Sequence, residues 1–435
     1  MSATRGRGIT RRTLAKSGVT AAATLAMARA GTGPTYARQN DELSFMNWDV
    51  VAGTPLEMAL NAFQDETGIT VKVQPAPTDD YTTKMRTLLA SGSPPDVMRI
   101  DDDLVRGFAE ANQLHDLTEF LESSGIDTSQ FTEPLYEFPV QADGTRPAWV
   151  VGAQPRVIFY NASMFEELGV AKPPSTWTGE GWTWDDFLET AKQLADAGSQ
   201  RWGALVYGDN AYEQTFSVNN GLEGGIYSPD GMEFTLASDK GVEAVQWVTD
   251  LTCVHEVQPP WSQLQQSQAR QQLFASGRVG MLFGAFGLVP YFRDNVADFT
   301  WDVAPVPARE AQKQEGSLIV FCIPKDAKNK EAAWQLLTYL SSEAGGNIFA
   351  ENGYFIPILP SSAELISPGD AAPATIKLFT EAAAHQSSVS PSTYQEQAEQ
   401  IYRPQLDLVY NCEQGAADVL PPLKEHVERA LAGEQ

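Results

Sequence analysis

The sequence predicts an α/β protein with two lobes. The chain has 435 residues, of which 43% are hydrophobic, enough for two ordinary hydrophobic cores and too many for a single one. Strand and helix patterns alternate in two separate parts of the chain. Such alternation is typical of mostly parallel sheets with helices on their faces.

The first lobe is predicted from a β-α-β-α-β alternation. The predicted strands are residues 43–48, 70–73 and 96–100. Between them, Thr54, Pro55 and Glu57 predict the start of a helix, with an N-cap, a proline at the first helical position and a capping-box carboxylate. A second helix is predicted at residues 81–89.

A second group of elements follows. Residues 172–176 contain two prolines and are not expected to be helical. Thr183 with Asp186 predicts a capped helix whose apolar residues, Trp184 among them, recur at core spacing. The remaining predictions are strands at 157–161, 279–283 and 318–323 and a helix at 330–340.

The net charge excludes several classes of partner. With 30 basic and 56 acidic residues, the formal charge is −26 at pH 7. A surface of that sign repels a phosphate backbone or an anionic membrane, so nucleic-acid binding is not expected. Net charge belongs to the whole surface and leaves the charge of a bound small molecule open.

The first 37 residues resemble an export signal of the twin-arginine type. Arg11 and Arg12 precede a weakly apolar run at residues 18–30, which is too short to span a bilayer. Cleavage is expected after Ala37, with Ala30 and the general secretory route as alternatives. No cysteine lies nearby, so we expect export to the periplasm or cell surface without a lipid anchor.

Chemical motifs are scarce in the chain. Cys253, Cys322 and Cys412 have no metal-binding spacing, and their odd number leaves at least one thiol unpaired. A chain of this length does not need a disulfide to fold, and a single disulfide is the alternative. None of the common nucleophile, metalloprotease or phosphate-binding motifs occurs, and the four histidines are far apart in sequence. These patterns predict a binding protein without cofactor or metal, with an exported hydrolase as the alternative.

Several short segments, in this order, resemble the family 1 extracellular solute-binding proteins, the carbohydrate receptors of ABC importers. The segments are Phe45-Met46-Asn47-Trp48, the run from Leu88 to Val97, the run from Val157 to Asn161, Trp184-Asp185-Asp186-Phe187, the run from Gly277 to Met281, and the run from Phe349 to Tyr354. Each segment alone is weak, but their order and spacing are specific for the family. The resemblance covers most of the chain after the export signal.

The resemblance implies a two-lobed periplasmic-binding-protein fold, type II-like, whose hinge strands cross between the lobes. The implied crossings lie near residues 151–155, 317–319 and 352–355. The corresponding lobes are residues 38–151 with 318–351, and 152–317 with 352–435. Ligand would lie in the cleft, hinge closure would bury it, and the monomeric protein would deliver it to the permease subunits of an ABC transporter.

Candidate ligand contacts follow from strand ends and from the resemblance. Trp48 and Asp49 follow the first strand, and Asp102 and Asp103 follow the third, where open α/β sheets bind ligands. Core packing and a solvated acidic turn are the respective alternatives. The resemblance adds positions at the crossings and in the second lobe, for which plain structural roles are the alternative: Gln154, Tyr212, Asn219, Phe286, Ser317 and Tyr354.

Two of these positions depart from the family pattern. Gln154 stands where the family often has an acidic side chain, which argues against a maltodextrin, and Phe286 stands where a tryptophan is frequent. Aromatic faces with hydroxyl-bonding side chains favour a sugar or oligosaccharide. A polyamine is the alternative that Asp49, Asp102 and Asp103 favour, and a glycerol phosphate is less favoured because donors are sparse.

Overall fold

The strands of this protein form two separate sheets. The structure is a computed structural model that describes residues 42–48, 50–76, 78–177, 182–207, 212–367, 369, 371–388 and 392–434. The predicted export signal and Asp49 lie outside these residues. The strands are β1 (Glu42–Trp48), β2 (Thr70–Ala76), β3 (Val97–Ile100), β4 (Trp149–Gln154), β5 (Arg156–Asn161), β6 (Trp202–Leu205), β7 (Val279–Ala285), β8 (Trp301–Ala304), β9 (Ser317–Cys322) and β10 (Ile356–Pro357).

Helices cover the sheets and connect their strands. In chain order they are α1 (Pro55–Thr67), α2 (Thr78–Ala90), α3 (Val105–Glu110), α4 (Thr118–Ser124), α5 (Glu133–Glu137), α6 (Ala162–Leu168), α7 (Trp184–Leu194), α8 (Tyr212–Asn219), α9 (Asp239–Cys253), α10 (Ala269–Ala275), α11 (Leu288–Asn295), α12 (Lys330–Leu340), α13 (Glu343–Glu351), α14 (Pro360–Ala363), α15 (Leu378–Ala384), α16 (Gln395–Tyr410) and α17 (Ala416–Leu431). None of the described helices is both long and apolar enough to cross a membrane.

The first sheet has the strand order β10-β4-β9-β3-β1-β2 and defines what we call the first lobe. β1 pairs in parallel with both β2 and β3, which confirms the predicted β-α-β-α-β alternation. β9 runs antiparallel to β3 and β4 and closes the centre of the sheet. The carboxyl ends of β1 and β3 therefore meet at one edge of this lobe.

Alternate residues of β1 face opposite sides of the first sheet, as the pleat of a strand requires. Phe45 belongs to a buried cluster with Phe63 of α1 and Trp334 of α12. Its neighbour Met46 belongs to a second cluster with Tyr81 of α2. Burial on both faces matches the nearly continuous apolar runs of β4 and β9 in the same sheet.

The second sheet has the strand order β6-β7-β5-β8 and defines the second lobe. β5 runs antiparallel to β7 and β8, and β6 runs parallel to β7. The chain passes from the first sheet to the second at Pro155, and returns between Ala304 and Ser317. Ile356 and Pro357 still pair with β4, so this sheet membership favours lobe boundaries a few residues later than those predicted at 151 and 351.

Two predicted helix starts differ in how they are capped. Thr183 accepts a hydrogen bond from the Asp186 amide while the Asp186 carboxylate accepts from the Thr183 amide, so the predicted helix cap is present and has the form of a capping box. At α1 the hydroxyl of Thr54 instead donates to the Val51 carbonyl, and the Glu57 carboxylate accepts from the amide of Gly53. The predicted N-cap bond is absent there because a turn at residues 51–54 takes up the hydroxyl.

A disulfide joins Cys253, the last residue of α9, to Cys412, just after α16. The two Cα atoms are 5.7 Å apart although the residues are separated by 159 positions. Cys322 is buried in β9 as a free thiol. A single disulfide was the less favoured alternative in the sequence analysis, because the sequence does not show that these two distant helix ends lie close together in space.

Removing this crosslink should destabilise the second lobe. We expect the Cys253→Ser/Cys412→Ser variant to lose about 2–4 kcal/mol of unfolding free energy, since the denatured chain is no longer constrained by a long loop. Chemical denaturation of the purified protein measures the loss. A reducing agent should reproduce it in the unmodified protein and leave the variant unchanged, and equal stability of both proteins would contradict this role.

Candidate functional site

An acidic segment lies at the carboxyl end of β3. Asp101 precedes a short 3-10 helix, Asp102–Leu104, and the Asp102 carboxylate accepts a hydrogen bond from the Leu318 amide at 3.1 Å. Burial raises the pKa of Asp102, although that bond and the charge of Arg156 oppose the rise. Burial and the neighbouring Asp102 raise the pKa of Asp101 in the same way.

Asp103 is the most perturbed carboxyl group of this segment. Asp103 is exposed to solvent, and further acidic side chains lie near its carboxyl group. Burial, then the charges of Asp102, Asp101, Glu399 and Glu396, raise the pKa of Asp103 to about 8. Since Glu396 and Glu399 belong to α16, carboxylates of the first lobe face those of the second across a cleft.

Trp48 lies beside this segment and is held from two sides. The Arg99 guanidinium lies 4.3 Å from the centre of the Trp48 ring, and the Tyr81 ring meets it edge-on at 5.2 Å. The Tyr81 hydroxyl donates to the carbonyls of Met46 at 3.2 Å and Arg99 at 2.7 Å, which ties β1 to β3. The tryptophan ring is therefore fixed at the strand ends while part of it stays exposed.

Arg99 was missed by sequence reasoning. Arg99 is only 9% exposed, and this burial lowers the pKa of its guanidinium. The nearby groups Tyr354, Asp101, Tyr81 and Asp102 act in the opposite direction and raise that pKa. The signal for it was available, because an arginine inside the buried strand Val97–Ile100 requires compensating charges. Asp101 and Asp102 supply those charges.

The residues predicted at the crossings lie at the same edge. The Gln154 side-chain amide donates to the Tyr354 carbonyl at 3.1 Å, and Gln154 pairs with the exposed Ser317 across β4 and β9. The structure thus brings six of the predicted site residues together at this edge. Each of them interacts with another of the six, with Arg99 or with the start of β9: Trp48, Asp102, Asp103, Gln154, Ser317 and Tyr354.

The predicted site residues of the second lobe are buried. Tyr212 packs between Tyr207 and Tyr410, with ring centres 5.8 and 5.7 Å away. Asn219 is fully buried and exchanges two hydrogen bonds with the backbone of Lys313.

Phe286 is also fully buried, and its ring packs against Phe379 at 4.9 Å. An aromatic platform needs an accessible ring face, which Phe286 does not offer in this structure. For Asn219 and Phe286 the structure favours the alternative, a packing role, because local partners take up their polar groups or their ring faces.

α16 contributes a second wall that sequence reasoning also missed. Arg403 forms ion pairs with Glu399 at 3.3 Å and with the buried Glu213 of α8 at 3.6 Å. Burial acts to lower the pKa of Arg403, but Tyr402, Glu213 and Glu399 raise it overall. The guanidinium therefore stays charged and links α16 to α8. Arg403, Glu399 and Glu213 come together only through the tertiary packing of α16. No local sequence pattern predicts that packing.

A cavity of about 360 Å³ adjoins Arg403 in the second lobe. Glu213 lines it, accepts a hydrogen bond from the Tyr410 hydroxyl at 3.0 Å, and has its pKa raised by burial against the opposing charge of Arg403. Its walls combine aromatic rings with two carboxylates: Tyr212, Glu213, Trp261, Arg403, Pro404, Leu406, Asp407 and Tyr410. Rings and hydrogen-bond acceptors together suit polyhydroxylated molecules.

In the described part of the chain, no cluster of histidine, cysteine and carboxylate side chains has the geometry to hold a metal ion. The groups present at the strand ends are the ring of Trp48, the carboxylates of Asp102 and Asp103, and the guanidinium of Arg99. Such groups bind and orient a small polar molecule.

Comparisons with known proteins agree with this geometry. The sequence model of a family described as bacterial extracellular solute-binding protein matches residues 47–347. The erythritol/L-threitol-binding protein of Mycolicibacterium smegmatis is 23% identical over 68% of this chain and 65% of that protein.

Two solved structures share the fold. An ABC substrate-binding protein of Listeria monocytogenes, solved in complex with cycloalternan, superimposes with a TM-score of 0.77 at 24% identity, covering 91% of this chain and all of that one. The sugar-binding protein MalE of Xanthomonas citri superimposes with a TM-score of 0.76 at 19% identity, covering 90% and 98%. These likenesses confirm the predicted two-lobed fold.

The raised pKa of Asp103 predicts an unusual pH dependence of stability. Below the unfolded pKa of an aspartate both states are protonated, and between that value and about 8 only the unfolded state releases the proton. Stability should therefore fall as pH rises through this window, and Asp103→Asn should remove that fall. Melting temperatures of both proteins from pH 4 to pH 8 measure the difference.

Asp127 serves as the matched control, because hydrogen bonds from Ser129 and Gln130 lower the pKa of this exposed aspartate. Asp127→Asn should not gain stability at pH 8. Parallel pH profiles for Asp103→Asn and the unmodified protein would show that Asp103 ionises normally in the folded state.

Proposed function

Because the chain belongs to the family of bacterial extracellular solute-binding proteins, we propose that it is the substrate-binding component of an ABC importer for a sugar or oligosaccharide. The observation that carries the proposal is the convergence, at one edge of the first sheet, of the Trp48 ring with Asp102 and Asp103, opposite α16. A ring face and adjacent carboxylates match the two kinds of surface that a sugar presents. The ligand passes from this cleft to the membrane permease.

The relatives support a polyhydroxylated ligand. One binds the sugar alcohols erythritol and L-threitol, and another holds the oligosaccharide cycloalternan. Both molecules are neutral and rich in hydroxyl groups. A neutral ligand of this kind needs donors and acceptors in about equal measure, which Arg403 and the facing carboxylates can supply.

In this proposal the site residues have separate roles. Trp48 stacks on a sugar ring, Asp102 and Asp103 accept hydrogen bonds from hydroxyl groups, and Gln154, Ser317 and Tyr354 line the crossing strands. Asp49 and Tyr212 remain predicted contacts. The lobes rotate about Pro155 and the strand ends near Ser317, and closure buries the ligand.

The proposal extends to the setting of the protein. We propose that residues 1–37 direct export through the twin-arginine route and that the monomeric protein works in the periplasm or at the cell surface. The family consists of solute-binding proteins, so we assign the chain no catalytic activity. Neither the family match nor the two solved structures supports the exported-hydrolase alternative.

A cationic solute, such as a polyamine, is the second candidate. The observation that favours it is Asp103, whose pKa is raised by the charges of four nearby carboxylates, Asp102, Asp101, Glu399 and Glu396. A protonated amine between Asp103 and α16 would relieve their repulsion. The same repulsion disfavours an anionic ligand such as a glycerol phosphate.

Calorimetric titration of the purified full chain distinguishes these ligands. The panel is glucose, maltose, maltotriose, erythritol, spermidine and glycerol 3-phosphate. We expect saturable one-to-one binding of a sugar or sugar alcohol, weakened at least about tenfold in Trp48→Ala because the stacking surface is lost.

Trp202→Ala is the control, since Trp202 lies on β6 in the second sheet, away from the edge of β1 and β3. Equal loss of affinity in both variants would argue against stacking at Trp48. Binding of spermidine alone would favour the second candidate, and no binding across the panel would overturn the proposed ligand class.

A further inference from the structure

The short helix α3 presents one face to the first lobe and another to the second. Val105 and Phe108 are buried in the first lobe. On the outer face, Arg106 and Glu110 form an ion pair at 2.8 Å, with Gly107 beside them. This ion pair within the helix fixes the positions of both charged groups on the outer face.

The outer face of α3 contacts two segments of the second lobe. A guanidinium nitrogen of Arg106 donates to the carbonyl of Asp230, in the connection between α8 and α9. The carboxylate of Glu110 accepts from the hydroxyl of Thr393, which lies just before α16. A single ion pair thus bonds to both segments that border the cleft in the second lobe.

Gly107 of α3 lies beside Thr393 of the second lobe. A Cβ atom at this position would lie 3.5 Å from the Cα atom of Thr393, an ordinary contact distance, with the Thr393 side chain next to it. Gly107 is not among the residues with positive φ, so the helix backbone does not require a glycine here. A glycine inside a helix is unfavourable relative to alanine. The feature that disfavours a larger side chain at residue 107 is the neighbouring Thr393 of the second lobe.

A further bond links the lobes on the same side. Arg86 of α2 forms an ion pair with Glu396 of α16 at 2.7 Å. Both side chains are about half exposed, so this bond contributes modestly on its own. Together with the α3 contacts it ties α2 and α3 to the segment that begins α16.

These contacts join the first lobe to two segments of the second, the connection between α8 and α9 and the start of α16. From them we infer that Arg86, Arg106, Gly107 and Glu110 form a clasp with Thr393 and Glu396 that sets how often the cleft closes. They are positioning residues, which change affinity and release through the arrangement of the lobes.

Disulfide trapping tests the clasp without any ligand. In the full chain carrying Cys322→Ala, the pair Gly107→Cys and Thr393→Cys should crosslink under mild oxidation, because a Cβ atom at residue 107 lies 3.5 Å from the Cα atom of Thr393. In the proposed scheme this contact forms as the cleft closes, so the crosslinking rate reports closure. Adding Arg106→Ala or Arg86→Ala should slow crosslinking about two- to fivefold, the range expected for exposed ion pairs.

Lys424→Ala is the control, because Lys424 pairs with Glu428 within α17. Failure of the cysteine pair to crosslink would overturn the clasp, and so would a crosslinking rate that is the same in all four proteins. Neither outcome depends on the identity of the ligand, so the clasp can fail while the proposed function stands.

Larger side chains at residue 107 give a second test, in which the affinity is measured for any sugar of the titration panel that binds. Gly107→Ala should leave the affinity unchanged, because a Cβ fits at 3.5 Å. Gly107→Phe should weaken binding about tenfold or more and raise the dissociation rate, because its ring occupies the space of Thr393. Equal affinity of the alanine and phenylalanine variants would overturn the clasp.

Discussion

The buried guanidinium of Arg99 is the constraint on which the binding edge depends. It is nine-tenths buried at the end of a central strand, with the Trp48 ring against it and Asp101 and Asp102 nearby. A charge in such a place must be compensated, and removing a partner of a buried charge is far more costly than removing a surface ion pair. The acidic segment after β3 therefore has a structural task as well as a binding one.

The same acidic segment sets the charge of the binding edge. Asp101 and Asp102 are balanced by Arg99 and Arg156, whereas Asp103 is set against the carboxylates of α16. Because these neighbours help to raise the pKa of Asp103 to about 8, Asp103 holds its proton at neutral pH, which relieves their repulsion. In the proposed scheme, ligand groups in the cleft and the polar contacts of α2 and α3 both favour closure, and the balance between them sets the affinity.

The sequence was sufficient for features that depend on neighbours along the chain. The β-α-β-α-β alternation, the helix cap at Thr183 and the helix from Lys330 to Leu340 were predicted correctly, because local periodicity and capping determine them. The place of Trp48 and Asp102 at one edge followed from the rule that parallel strands end together.

Features that depend on distant parts of the chain could not be predicted. The Cys253–Cys412 crosslink and the wall of α16 exist only because segments far apart in sequence meet in the second lobe. Phe286 is another residue whose surroundings depend on a distant part of the chain. It follows a strand, as a ligand contact should, but its neighbour Phe379 comes from a helix about ninety residues later and covers its ring.

The near contact of Gly107 and Thr393 also makes this protein a natural optical sensor. An environment-sensitive fluorophore attached at residue 393 would sit in solvent when the lobes are apart and against α3 when they meet. Its emission would then report how close the two lobes are. A receptor with this geometry can convert the concentration of its solute directly into light.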